Sequence, residues 1–253
     1  MVFDGGSGLR PLRMATRLAA AWLGLSVLLF APAGADAQAR RTTLRPVVLE
    51  LFTAQGCASC PQANQMLGDL AQRRGVIALT YPVDYWDYLG WPDTFARAEF
   101  TSRQRAYVQR LRLREIYTPQ VVVSGRREAP AVEVERVSAV IVSDTARRQR
   151  GPAIGFSRRG GRVTVGSGTA VRGGAELWLV RYDPMRRDVR VRTGENAGKV
   201  VSHYNVVREL TRLGPWNGRA RTYSAPEATQ SGLETVVLLQ GAKGGPILAA
   251  AKG

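Results

Sequence analysis

The sequence predicts an α/β fold over residues 40–150, in the order β-α-β-α-β-β-α, followed by a β-rich, sandwich-like domain over residues 151–253. Three observations carry this reading. A β-branched and aromatic run from Val47 to Phe52 enters a Gly, a Cys-x-x-Cys and then a helical pattern. A Thr-Pro step, Thr118-Pro119, precedes a second short apolar run. From residue 153 onward, short alternating runs are separated by Gly-rich turns, as in an antiparallel sandwich or barrel, or in an elaborate extension packed on the first domain.

The first strand spans residues 45–52, and Gly56 permits a tight turn after it. Residues 61–73 read as a helix, with Ala63, Met66, Leu67, Leu70 and Ala71 at helical spacing. Ser59 fits the N-cap, with Gln62 reaching back in a capping box and Pro61 in the first turn, where a missing N–H is tolerated. A second strand covers 76–83. A loop at 89–92 leads to Asp93 or Thr94, either of which can cap a helix or helix pair over 95–114. Residues 121–123 form a third strand and 126–129 a short fourth, and a helix over 132–148 closes this half. The remaining strands are expected at 153–156, 162–165, 175–182, 188–191, 199–208, 219–223, 235–240 and 246–250. Gly194-Glu195-Asn196 reads as a hairpin turn in which Gly and Asn accept positive φ.

The formal net charge is +16 over 253 residues, and it is carried almost wholly by arginine. The arginines are scattered through every segment without an interleaved aromatic stripe, so a solvated basic surface is expected, not specific nucleic-acid binding. The N-terminus has the pattern of a signal peptide over residues 1–39: arginines, an apolar run over 18–30, then small residues with an A-x-A at 35–37 or 37–39. Residues 4–10 do not look like a leader, which makes Met14 a candidate start. The apolar run is short of the roughly 20 residues a span requires, and no later stretch could cross a bilayer. The expected compartment is therefore oxidising, periplasmic or secreted, where paired cysteines persist.

Cys57 and Cys60 are the only cysteines. Their spacing allows a disulfide, and the helix behind them favours a thiolate at Cys57. Three uses stay open: a redox pair with Cys57 attacking and Cys60 resolving, a static disulfide, or a metal site. A bridge closing so short a loop stabilises by only roughly 2 kcal/mol. A zinc site wants about four nitrogen or sulfur ligands, and the one imidazole, His203, lies in the other half. No metal and no cofactor is expected. The candidate partners are protein thiols or disulfides. Tyr85, Trp86 and Trp91 either pack in the core or line a groove beside the dithiol.

The runs Glu50 to Pro61, Val83-Asp84-Tyr85-Trp86-Asp87, Arg103-Gln104 with Tyr107, Tyr117-Thr118-Pro119-Gln120 and Gly194-Glu195-Asn196 resemble an exported thioredoxin-like family catalogued only as a domain of unknown function. The resemblance covers nearly all of the chain after the leader. Many members carry His where Pro82 stands here. It implies the thioredoxin superfamily fold, an exported location and a cis Pro119, preceded by Thr118, opposite the dithiol. Pro119 and Thr118 then offer backbone to a bound substrate chain. By the same resemblance Glu50 lies near the position where thioredoxins carry a buried acid and is a candidate proton acceptor for Cys60; the other reading is an ion-paired or solvent-facing strand residue. The function these features imply is a thiol–disulfide oxidoreductase, with a binding or structural module holding a fixed disulfide as the alternative.

Overall fold

The computed structural model describes residues 43–147, 150–157 and 161–253, together with Val2. The leader expected over 1–39 lies outside the described residues.

Strand β2 (Val47–Thr53) is buried at all seven positions. It sits between β3 (Val76–Pro82), parallel to it, and β4 (Gln120–Val123), antiparallel. A strand covered on both faces must be apolar on both, which is why this run is continuous and not alternating. Helix α1 (Cys60–Ala71) connects β2 to β3, α2 (Ala98–Leu111) leads toward β4, β5 (Arg127–Pro130) pairs with β4, and α3 (Val134–Ala146) follows. A 3-10 turn at Asp87–Leu89 precedes α2.

The strands after residue 150 do not form a separate sandwich. After the short pair β1 (Thr43–Leu44) and β6 (Arg150–Gly151) come β7 (Ile154–Phe156), β8 (Arg162–Val165), β9 (Ala175–Asp183), β10 (Arg187–Arg190), β11 (Val200–His203), β12 (Val206–Trp216), β13 (Arg221–Ser224), β14 (Glu234–Gly241) and β15 (Ile247–Lys252). Four of them extend the first sheet, giving one eight-stranded sheet in the order β15-β14-β9-β12-β3-β2-β4-β5. The physical reason lies in β9 and β14. Val180 and Tyr182 with Val236 and Leu238 face one apolar cluster, while Leu177 and Leu179 with Val237 and Leu239 face another. Strands apolar on both sides need cover on both.

That cover has three parts. One face of the whole sheet packs Phe52, Leu79, Tyr81 and Val180 against Phe100 and Tyr107 of α2. On the other face, α1 and α3 place Ala63, Leu67, Leu70, Val137 and Ile141 over the β2–β4 region. The three-stranded sheet β13-β8-β7 places Val163, Val165 and Tyr223 over β9 and β14. The β-rich character is as the sequence predicts; the separate sandwich is not what these strands form.

The seam between the two parts is Asn205. The single strand expected over 199–208 breaks there, because Asn205 takes φ +49, a conformation Asn tolerates better than most residues. Its backbone carbonyl accepts from Thr80 N–H at 3.0 Å, and its side-chain amide donates to the Ala78 carbonyl at 2.9 Å. The chain can thus leave the β10–β11 hairpin and join β3 as β12. That hairpin ends against α1, where the Tyr204 ring lies over Gly68: a Cβ there would sit 2.8 Å from Tyr204 Cγ.

Candidate functional site

The turn from β2 into α1 carries both cysteines. Cys57 N–H donates to the Ala54 carbonyl and Cys60 N–H to that of Cys57, each at 3.2 Å. Cys60 is the first residue of α1, with Pro61 beside it in the first turn. The expected capping box is not made: Ser59 sits at the N-cap with helical dihedrals and no side-chain cap bond, its hydroxyl lying 3.6 Å from Cys57 Sγ instead. Cys57 and Cys60 form a disulfide, and both residues are at most 1% exposed.

The loop between β10 and β11 is fastened to the backbone of that turn. Asn196, fully buried, donates through its amide to the carbonyl oxygens of Cys57 (2.8 Å) and Gln55 (3.0 Å). Its own amide oxygen accepts from Lys199 Nζ at 3.2 Å. Next to it, the Glu195 carboxylate accepts from Ala58 N–H at 2.9 Å, a backbone donor at the mouth of α1. The loop is itself closed by Ala197 N–H onto Gly194 O and Lys199 N–H onto Asn196 O, each at 3.0 Å. Glycines 194 and 198 take the positive φ values; Asn196 does not. The turn role expected for Gly194-Glu195-Asn196 therefore covers only Gly194, and the two polar residues form a clasp on the Cys-x-x-Cys backbone. The signal available in the sequence was that this run stands among those carrying the family resemblance.

A second segment braces the same turn. Asp93 does not cap a helix: α2 begins later, with Arg97 at its N-cap, and Asp93 Oδ2 accepts from Gln55 N–H at 2.7 Å while Oδ1 accepts from Phe95 N–H at 2.9 Å. Burial pushes its carboxyl up to about 6, against the pull of those two N–H donors. The Gln55 side chain accepts from Trp91 Nε1 and donates to Thr94 Oγ1, both at 2.9 Å. Trp86 lies over Gly56, its Cβ 3.7 Å from where a Cβ on that glycine would be. Tyr85 and Trp86 are half-buried against the same apolar cluster that holds both cysteines.

The Thr118–Pro119 peptide bond is cis, and Pro119 is buried directly ahead of β4. The Tyr85 hydroxyl is pushed to about 12 by burial, opposed by Gln104 and Thr118 beside it. Glu50 is in its ion-paired alternative: Arg103 Nε donates to Oε1 at 2.6 Å and the Tyr107 hydroxyl donates to Oε2. Arg103 in turn donates to Gln240 Oε1 at 3.0 Å and to the Tyr107 oxygen at 3.1 Å. Burial works against the guanidinium charge, but Glu50 together with Tyr107 and Tyr81 outweighs it and holds the group above its usual value. His203 is buried edge-on to Phe95, with centroids 5.3 Å apart, and burial lowers it to about 4. No helix among the described residues is long and apolar enough to cross a membrane.

Two solved structures are similar to this chain. One, an X-ray structure of a protein from Agrobacterium tumefaciens, is 29% identical, with a TM-score of 0.67 over 84% of this chain and 95% of that one. The other is HBP35 of Porphyromonas gingivalis, 12% identical, with a TM-score of 0.55 over 84% of this chain and 76% of that one; at that identity the likeness is one of fold. No curated protein matches. Residues 48–240 match the family described as a protein of unknown function, DUF1223, and the chain belongs to that family.

Proposed function

We propose that this chain is a thioredoxin-like thiol–disulfide oxidoreductase of an oxidising compartment, periplasmic or secreted, acting on protein thiols or disulfides through Cys57 and Cys60. The observation that carries the reading is the position of the pair: a disulfide whose second cysteine opens α1, with the first just ahead of the helix. Backbone donors and the helix dipole there favour the thiolate. A staple between residues three apart adds little stability for the cysteines it uses. The order of elements from β2 to α3 supports the thioredoxin-like assignment.

In the oxidising direction a substrate thiolate attacks Cys57 Sγ, and Cys60 leaves as a thiolate. A second substrate thiol then attacks the mixed disulfide and releases Cys57, so two electrons pass from substrate to the pair. In the reducing direction Cys57 attacks a substrate disulfide and Cys60 resolves the mixed disulfide. Thr118, ahead of the cis Pro119, offers backbone to the substrate chain in this reading, while the Pro119 carbonyl already accepts from Ala131 N–H at 2.9 Å. Glu50 receives no proton-transfer role, because Arg103 and Tyr107 hold its two oxygens. Exchange requires the turn to open, since Cys57 is buried, and the Asn196–Glu195 clasp fastens that turn.

That same burial favours the second reading, a binding or structural module with a fixed disulfide. Thiol trapping of the folded protein across graded glutathione potentials separates the two. A pair reducible between about −300 and −180 mV supports exchange; a pair that stays oxidised in that range until the protein unfolds rejects it. In the first case Cys60→Ser accumulates mixed disulfides with partner proteins, and in the second it does not.

A further inference from the structure

Two clefts meet at the β14–β15 turn, away from the disulfide loop in the chain. The first has a volume of about 430 Å³ and is lined by Arg110 at the end of α2, Arg172 and Lys243, with glycines and Leu248 completing the wall. No carboxylate lines it, and none of the three cations has an acidic partner among the described residues. The second, about 320 Å³, lies between α2 and strands β9, β12 and β14 and is walled by Trp178 and Leu210. Lys243 lines both. The guanidinium of Arg103 faces the Trp178 ring at 5.6 Å, and its Nη1 takes no part in the bonds that tie it to Glu50, Tyr107 and Gln240. The acids of this second cleft, Glu99 and Glu176, are answered by Arg97 and Arg212.

The turn itself supplies an independent observation. Lys243 takes φ +54, which costs a side-chain-bearing residue about 1–2 kcal/mol and which Gly or Asn adopts more readily. Gly244 beside it is pressed onto α2, where a Cβ would lie 2.8 Å from the Ala106 carbonyl. Gln240 Nε2 donates to Gly245 O at 2.8 Å, and Gly241 N–H to Pro246 O at 2.9 Å. The turn thus places Lys243, exposed and without an acidic partner among the described residues, on the wall of both clefts, at a backbone position ill-suited to lysine.

We propose that this double cleft binds a small amphipathic anion, its phosphate or carboxylate head between Arg110, Arg172 and Lys243 and its apolar body against Trp178 and Leu210. The volumes suit a ligand of that size, and sites of this kind combine an apolar wall with a few placed charges. The site stands independently of the disulfide chemistry.

Calorimetric titration of the oxidised full chain with octyl phosphate, octanoate, inorganic phosphate and octanol tests it. Octyl phosphate or octanoate binds saturably and more tightly than inorganic phosphate or octanol; the tighter of the two assigns the head group. Lys243→Gly suits the positive φ, so the melting temperature holds or rises, while affinity for the amphiphile falls about tenfold, the worth of one charged hydrogen bond. Leu210→Asp weakens the amphiphile and leaves inorganic phosphate unchanged. No saturable binding by either amphiphile, or amphiphile binding that survives both substitutions in folded protein, overturns the proposal.

Discussion

Replacing Asn196 with Ala removes the two side-chain hydrogen bonds that fasten the β10–β11 loop to the Gln55 and Cys57 carbonyls. A typical net hydrogen bond contributes about 1 kcal/mol, and a buried acceptor left unpaired costs about 1–3 kcal/mol. Once the clasp is open, water reaches both carbonyls, so the loss falls on the closed state alone and totals about 2–3 kcal/mol. At about 1.4 kcal/mol per factor of ten, the open fraction rises by about 30- to 150-fold. Where reclosing is fast, chemical attack tracks the open population. Reduction of Cys57–Cys60 by dithiothreitol, quenched with an alkylating agent and read by mass, should therefore accelerate by that factor in Asn196→Ala. Glu195→Gln keeps an acceptor for Ala58 N–H at an exposed site and should accelerate it by less than about tenfold. Thermal melts run alongside separate loop opening from global unfolding. If Asn196→Ala is reduced at the wild-type rate while remaining folded, the clasp does not gate the disulfide.

Three further outcomes follow from the geometry. Glu50→Gln leaves the Arg103 guanidinium buried without its carboxylate and should cost about 3–5 kcal/mol in urea denaturation, whereas converting both to well-packed apolar residues should be close to neutral. Gly68→Ala places a methyl 2.8 Å from the Tyr204 ring carbon and should destabilise by about 1–3 kcal/mol; pairing it with Tyr204→Ala removes the overlap, so the double mutant should fall short of additivity. Asp93 and His203 should act oppositely on stability as pH changes. Asp93, raised to about 6, stabilises fully below about pH 4 and loses that contribution as pH rises through 6, about 3 kcal/mol in all. His203, lowered to about 4, stabilises above about pH 6.5 and loses a similar amount as pH falls toward 4. Urea titrations of His203→Phe should then show stability falling from pH 4 to 6, and those of Asp93→Asn should show it rising; equal slopes in the two variants would exclude the assignment.

What the sequence made legible follows the range of the interactions involved. The run Val47 to Phe52, the helix after Cys60 and the strand after Pro119 are set by local periodicity and turn chemistry, and each lies within a few residues of its expected bounds. The capping box at Ser59 is also local, yet it fails, because the hydroxyl has a competing neighbour in Cys57 Sγ that no pattern of caps records. Asp93 fails for a related reason: its spacing suits a cap, but a backbone donor 38 residues earlier claims the carboxylate. The partition of the second half fails at longer range. Alternation of the kind expected for a sandwich strand implies one buried face, whereas β9 and β14 are covered on both, one by α2 and the other by β7, β8 and β13. The clasp is the extreme case. Asn196 and Cys57 are 139 residues apart, and their contact exists only because Asn205 turns the chain from the hairpin into the sheet beside β3. Built into the same sheet, the second half returns its hairpin to α1 and fastens the backbone of the Cys-x-x-Cys turn, so the setting of the pair depends on residues 194–206 as well as on the four-residue motif itself.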